Sequence, residues 1–294
     1  MTESPGYRYS AFYPISPVMI FKDCYPDIIA GKLAQVYRLR HFIIPEKIKT
    51  TPKPYPTRPE HCIVFYIRGF ELTEIPGSGI LKRVRSIISG QYTHRINRYS
   101  GSAEFLMVQA VLWPGIVHRL TGIPAHELQN NFIDLEDVFP KEGREINERL
   151  QNSTDYNTII RTIDEFMGGL AGKMKISERP ADEVFQIMLQ YPGKYSIDWL
   201  AREACLSPRQ FERKAYDYVG VCPKLFSRIC RFIHTYDMRQ SDPKIDWLSI
   251  ALSAGYQDYQ HMVKDYLYLA GTRPTWLFKT EESKALERRL GLKK

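Results

Sequence analysis

Apolar residues recur with two different periods, and the change of period divides the chain. Up to about Asp134, short runs rich in Val, Ile, Phe and Tyr repeat: Val36–Ile44, His61–Arg68, Ile80–Ser89 and Phe105–Trp113. Runs of this length and composition predict strands. Breakers lie between them, the Pro-rich stretch Thr51–Pro59 and the turn Pro76-Gly77-Ser78-Gly79. Several short strands at this spacing predict a barrel or a sandwich. From Leu135 the period lengthens. Glu145–Leu150 and Tyr156–Leu170 predict helices, the second carrying Ile159, Ile160, Ile163, Phe166 and Met167 on one stripe. Gly168–Pro180, rich in glycine and closed by proline, is the expected linker. After Ala181 the pattern is helical throughout. The expected class is α+β with two domains: residues 1–175, a β-rich domain ending in helices, and residues 181–294, an all-α domain with two helix-turn-helix units.

Within the second part, Asp182–Gln190 is a short amphipathic helix ended by Pro192-Gly193. Ser196 is placed to cap a second helix bearing Ile197, Leu200, Ala201 and Ala204. Cys205-Leu206 makes a tight turn. Ser207-Pro208-Arg209-Gln210 then predicts a helix start, with Ser207 as N-cap, Pro208 in the first helical position and Gln210 closing a capping box. On that helix Phe211, Ala215 and Tyr218 share one side; Arg209, Glu212, Arg213 and Tyr216 share another. Two helices around a tight turn, the later one with an exposed polar stripe, form a helix-turn-helix. The N-terminal part of the later helix is the part that enters the major groove.

Gly220-Val221-Cys222-Pro223 ends this unit, and a longer helix, roughly Lys224–Arg239, follows as a strut. The same grammar then returns. Ile245–Ala254 is amphipathic, Gly255-Tyr256 turns, and Asp258 caps Tyr259–Leu269. Met262, Tyr266 and Leu269 form the buried stripe of that helix; Tyr259, Gln260, Val263 and Lys264 form the other side. Gly271 and Pro274 stand where Gly220 and Pro223 stood. The two units are an internal repeat of about fifty residues.

The run Ser207–Arg213 with Gly220-Val221-Cys222-Pro223 resembles the first half of an AraC-type DNA-binding domain. Ala251–Tyr256, Asp258, Lys264 and Gly271-Thr272-Arg273-Pro274 resemble the second half. The resemblance covers about Ala181–Phe278. It implies a seven-helix module whose two recognition helices meet successive major-groove segments of double-stranded DNA at a promoter or operator. Three positions depart from the family's pattern: Ala215 and Met262 stand where it often has Phe, and Val263 where it has a small polar residue. The stretches Val111–Pro124 and Asp134–Phe139 resemble a β-rich, cupin-like domain found ahead of such modules in some bacterial regulators.

The DNA-contacting residues expected from pattern and resemblance are Ser207, Arg209, Gln210, Glu212, Arg213 and Lys214 in the first unit and Tyr259, Gln260, Val263 and Lys264 in the second. Arginine can bond O6 and N7 of a guanine together. Glu212 either accepts from a cytosine N4 or pairs with a neighbouring arginine. Gln260 reads adenine or is an ordinary surface residue, and Lys264 suits a phosphate. Lys224, Arg228 and Arg231 are either backbone clamps or the polar face of the strut.

Charge adds little to this picture. The chain has 294 residues, 41 Lys and Arg against 33 Asp and Glu, and a net charge of +8. That balance permits nucleic-acid binding, but the excess is shared by both parts of the chain. The five cysteines, Cys24, Cys62, Cys205, Cys222 and Cys230, show no CxxC spacing and read as reduced thiols. Met1–Ser10 has no signal-peptide pattern and no apolar run is long enough to span a membrane, so a cytoplasmic location is expected. The seven histidines lack metal-ligand spacing, and no nucleophile elbow or phosphate loop is found. The expectation is a transcriptional regulator, not an enzyme, without cofactor. RNA polymerase and a second copy bound through the N-terminal domain are the further partners considered, and the small-molecule effector is unknown. The alternatives are a cupin-type metalloenzyme or a DNA-alkylation-repair-like enzyme fused to a DNA-binding module.

Overall fold

The computed structural model describes residues 18–44, 53–75, 79–83, 85–174 and 180–284. The expected turn residues Pro76–Ser78, part of the Thr51–Pro59 stretch and Met1–Ser10 lie outside these. A β-rich first part is followed by an all-helical second part, as the change of period predicts. The strands are β1 Val18–Cys24, β2 Ala34–Ile43, β3 Lys53–Tyr55, β4 Cys62–Arg68, β5 Glu71–Ile75, β6 Gly79–Arg83, β7 Ser86–Ser89, β8 Ile96–Ser100, β9 Glu104–Leu112 and β10 Phe132–Asp134. They form a six-stranded sheet in the order β1-β2-β9-β4-β7-β10 and a four-stranded sheet in the order β3-β8-β5-β6. All described pairings are antiparallel.

Both faces of the larger sheet are covered, which is why its strands read as near-continuous apolar runs rather than alternating ones. The period-two rule still sorts the side chains. In β4, Ile63, Phe65 and Ile67 join a core shared with helices α3 Pro140–Gln151 and α4 Tyr156–Lys173. Cys62, Val64 and Tyr66 face the other way, with Ile87, Phe105 and Met107. His61, just ahead of β4, is 4% exposed, and its ring Nε2 has no hydrogen-bond partner among the described residues. Burial holds its pKa down to about 4.

Two expectations are corrected. The run Ile80–Ser89 is not one strand. Arg85, at φ 57°, turns the chain between β6 in the smaller sheet and β7 in the larger. The expected linker is also shorter, because Gly168–Lys173 continues α4. Met167, Leu170 and Ala171 are buried there against the sheet, and that burial outweighs the modest helix cost of the intervening glycines. Residues 175–179 of the expected linker lie outside the described ones.

The remaining helices are α1 Ile116–Thr121, α2 Leu135–Val138, α5 Pro180–Gln190, α6 Ile197–Glu203, α7 Pro208–Val219, α8 Pro223–Ser241, α9 Trp247–Ser253, α10 Tyr259–Ala270 and α11 Pro274–Lys284. A cluster built on Phe185, Phe211, Tyr218 and Phe226 holds α5, α6 and α7 against the start of α8. A second, built on Phe232, Tyr236, Met262 and Tyr266, holds α9 and α10 against its other half. The strut α8 is 19 residues, roughly 28 Å at the usual helical rise, and it is common to both cores. Among the described residues no helix is long and apolar enough to cross a membrane.

Candidate nucleic-acid interface

The two helix-turn-helix units are built on the same plan. In the first, the Ser196 side chain accepts from Trp199 N–H and starts α6. Asp246 does the same for α9, accepting from Leu248 and Ser249 N–H. The turn of the first unit is closed by Leu206 N–H donating to Ala201 C=O at 3.0 Å, and that of the second by Tyr256 N–H donating to Ala251 C=O at 3.0 Å. Each turn has one residue in the left-handed region, Cys205 at φ 55° and Gly255 at φ 76°. The repeat is spaced by fifty residues up to this point, and by 51 from the helix starts Pro208 and Tyr259 onward. One extra residue therefore sits in the second turn, ahead of its cap.

The cap of α7 forms as expected. Gln210 N–H donates to Ser207 Oγ at 3.3 Å and Ser207 N–H donates to Gln210 Oε1 at 3.0 Å. The Gln210 side chain is thus engaged in starting the helix. Arg209, Glu212 and Arg213 are exposed on the same helix, and Glu212 makes no salt bridge to either arginine among the described residues. Lys214 turns toward its own helix, its ammonium 4.7 Å from the Tyr218 ring centre. On α10, Asp258 caps by accepting from His261 N–H at 2.7 Å. Gln260 and Lys264 are exposed, while Tyr259 is half-buried against the second helical core. Val263 differs from its expected place on the open side. It is 7% exposed, next in sequence to Met262 of the second helical core. Ala215, at 0% exposure, is closely packed despite its small size.

The C-terminal ends of both α7 and α10 are held by the β-rich part. Gly115 N–H donates to Tyr218 C=O at 3.1 Å, and the buried Thr57 hydroxyl donates to Leu269 C=O at 3.2 Å. Gly115 has φ 83°, and a Cβ there would stand 2.7 Å from the Tyr218 ring. Gly220 is equally tight: a Cβ would stand 3.0 Å from Ala125 C=O. Ion pairs Arg119–Asp182 at 3.0 Å and Arg58–Asp237 at 3.0 Å flank these contacts. Sequence reasoning missed this docking. The role of Gly115 depends on a partner a hundred residues away. Among the described residues no group of three His, Cys, Asp or Glu side chains is placed to hold a metal ion.

A chamber of about 450 Å3 opens inside the β-rich part, between its sheets and the strut. Phe42, Phe105 and Met107 supply apolar wall; Arg38, Arg40 and Arg98 supply charge; Tyr236 and Gln240 of α8 close one side. Arg38 makes a bidentate pair with Glu60 at 2.7 and 2.8 Å. Burial by itself would raise the Glu60 carboxyl, but Arg38, with Arg58 and Arg98, outweighs it and holds Glu60 below the usual carboxylate range. Arg40 pairs with Asp23 at 3.0 Å. Arg98 lies over the Tyr55 ring at 4.1 Å, and its buried Nε has no hydrogen-bond partner among the described residues.

No protein-family model matches the chain, and none of the curated proteins matches it. Among solved structures it is similar to ToxT from Vibrio cholerae, at 10% identity and a TM-score of 0.46, over 82% of this chain and 97% of that one. For ToxT from Vibrio cholerae with an unsaturated fatty acid bound, the identity is 11% and the TM-score 0.44, over 90% of this chain and 96% of that one. The chain is also similar to the AraC-like transcriptional activator CuxR, at 14% identity and a TM-score of 0.26, over 74% of this chain and 86% of that one.

Proposed function

We propose that the chain is a sequence-specific DNA-binding transcriptional regulator, with a sensory or dimerising domain in residues 1–175 and a double helix-turn-helix in residues 181–294. The observation that carries this reading is the repeat itself. Two recognition helices are capped at their N-terminal ends, expose Arg209 and Arg213 on one and Gln260 and Lys264 on the other, and are tied to the rest of the protein by their C-terminal ends. Phosphate contacts would set the register and a few side chains would read bases. Occupancy near a promoter would then recruit or block polymerase.

The first unit has the stronger case for reading bases, since two exposed arginines lie in the opening turns of α7. The second, with Val263 withdrawn, offers Gln260 and Lys264. Selection of binding sites from random duplex DNA, followed by footprinting, tests the proposal. The expected result is a consensus with two protected major-groove patches about one turn apart, roughly 34 Å. Recovery of no consensus would overturn it.

The chamber supports a sensory role, because apolar walls with a few fixed arginines suit a small amphipathic acid. Tyr25, Ile28 and Ile29, exposed beside the edge strand β1, support a dimer contact through the N-terminal domain.

A further inference from the structure

The seam between the two helix-turn-helix units contains a recess of about 430 Å3. It is walled by the chain ahead of α6, by Lys224, Arg228 and Arg231 of the strut, and by His261, Lys264 and Asp265 of α10. Four cationic side chains thus face one carboxylate. That carboxylate is already engaged. Asp265 is 2% exposed; it accepts from Arg228 Nε at 2.8 Å and from Tyr256 Oη at 3.0 Å, with Arg231 Nη2 at 3.6 Å. Asp265 offsets one charge and leaves the recess positive.

Two buried polar atoms at the recess also lack partners. Arg231 Nε and His261 Nδ1 make no hydrogen bond among the described residues. Buried polar groups are normally satisfied, so such atoms call for an external partner. Lys224 and Lys264 stand exposed at the rim and form no ion pair among the described residues. A wall of arginine and lysine with unused donors suits a phosphate oxygen.

We propose that this recess receives one phosphate of the DNA backbone, held by Lys224, Lys264 and Arg231. The inference rests on the regulator reading. If two recognition helices enter successive major-groove segments, the sugar-phosphate backbone between them has to pass the seam, and it carries a charge at every nucleotide. Lodging one phosphate there registers both units at once. The strut is then a contact element of the interface as well as a spacer.

The test uses the full chain and its selected duplex, with the variants Lys224→Gln and Lys264→Gln. Neither side chain is packed, so folding is expected to be unchanged. The dependence of log affinity on log salt should lose about one unit of slope for each variant, equally on selected and random duplex. A scan of single neutral methylphosphonates between the two footprints adds a second arm. One position should weaken the wild-type protein and leave Lys224→Gln no weaker than it already is. Selective binding with unchanged salt slopes, or a methylphosphonate cost equal in both proteins at every position, overturns the recess assignment alone. Failure to select any sequence overturns the regulator reading, and this inference with it. Stabilisation of the DNA-free protein by inorganic phosphate, lost in Lys224→Gln while DNA binding stays unchanged, would make this a free-phosphate site and overturn the DNA assignment.

Discussion

The carbonyls of Tyr218 and Leu269 occupy the same place in the two repeats, on the penultimate residues of α7 and α10, and each accepts a hydrogen bond from the β-rich part. The donors are unrelated, a backbone N–H at Gly115 and a side-chain hydroxyl at Thr57. The N-terminal domain therefore grips both units at matching points and leaves their N-terminal ends clear.

Thr57→Val keeps the shape of the side chain and removes the donor. It leaves the Leu269 carbonyl with one partner fewer, and a loss of about 1–3 kcal/mol of stability is expected. Amide exchange should rise in the last turn of α10 and not in α7. Equal exchange in both helices would show that the bond does not hold the second unit.

Gly115→Ala acts on the other grip. A Cβ at 2.7 Å from the Tyr218 ring, on a backbone at φ 83°, forces the domains apart or strains the turn. The expected cost is more than about 1 kcal/mol, measured by denaturant unfolding. The α7 amides should lose protection.

Cys205 and Gly255 carry the same left-handed turn, one with a side chain and one without. A Cβ in that region costs roughly 1 kcal/mol. Cys205→Gly should recover part of it, offset by the greater freedom of glycine in the unfolded chain, and Gly255→Ala should lose about 1 kcal/mol. Opposite signs in thermal unfolding are the expected outcome.

Arg213→Ala should lower affinity for the selected duplex by roughly 1–3 kcal/mol and affinity for random duplex far less. Quantitative binding to both at one salt concentration checks this. Equal losses would make Arg213 a phosphate contact.

His61 supplies a pH dependence. Its folded pKa, about 4, lies below the ordinary imidazole value near 6.5. The unfolded chain therefore takes up the proton first as pH falls. Stability should be unaffected above about pH 7 and decline from about pH 6.5 to about pH 4, by up to roughly 3 kcal/mol. His61→Gln should flatten unfolding free energy over that window relative to the wild-type protein.

The helical part was the more legible from sequence because its signals are local. Ser207, Pro208 and Gln210 cap a helix by contacts three residues apart, and the structure forms that capping box. The repeat made the second unit readable from the first. What escaped notice depends on distant partners. Arg85 splits an apolar run because its two halves belong to different sheets, and nothing in the run itself marks that. Val263 reads as exposed from the helix period, yet the fold buries it. The Thr57–Leu269 bond joins residues 212 apart in sequence, beyond any pattern of neighbours.

Tyr236 and Gln240 close the chamber while belonging to the helix that joins the two helix-turn-helix units. If the chamber takes a ligand and the two units take DNA, as proposed, both would bear on this one helix, and thermodynamic reciprocity would bind them. A small molecule that changes DNA affinity tenfold, about 1.4 kcal/mol, must itself be held tenfold more or less tightly once DNA is bound. On the proposed reading, DNA would act on the chamber as much as the chamber acts on DNA.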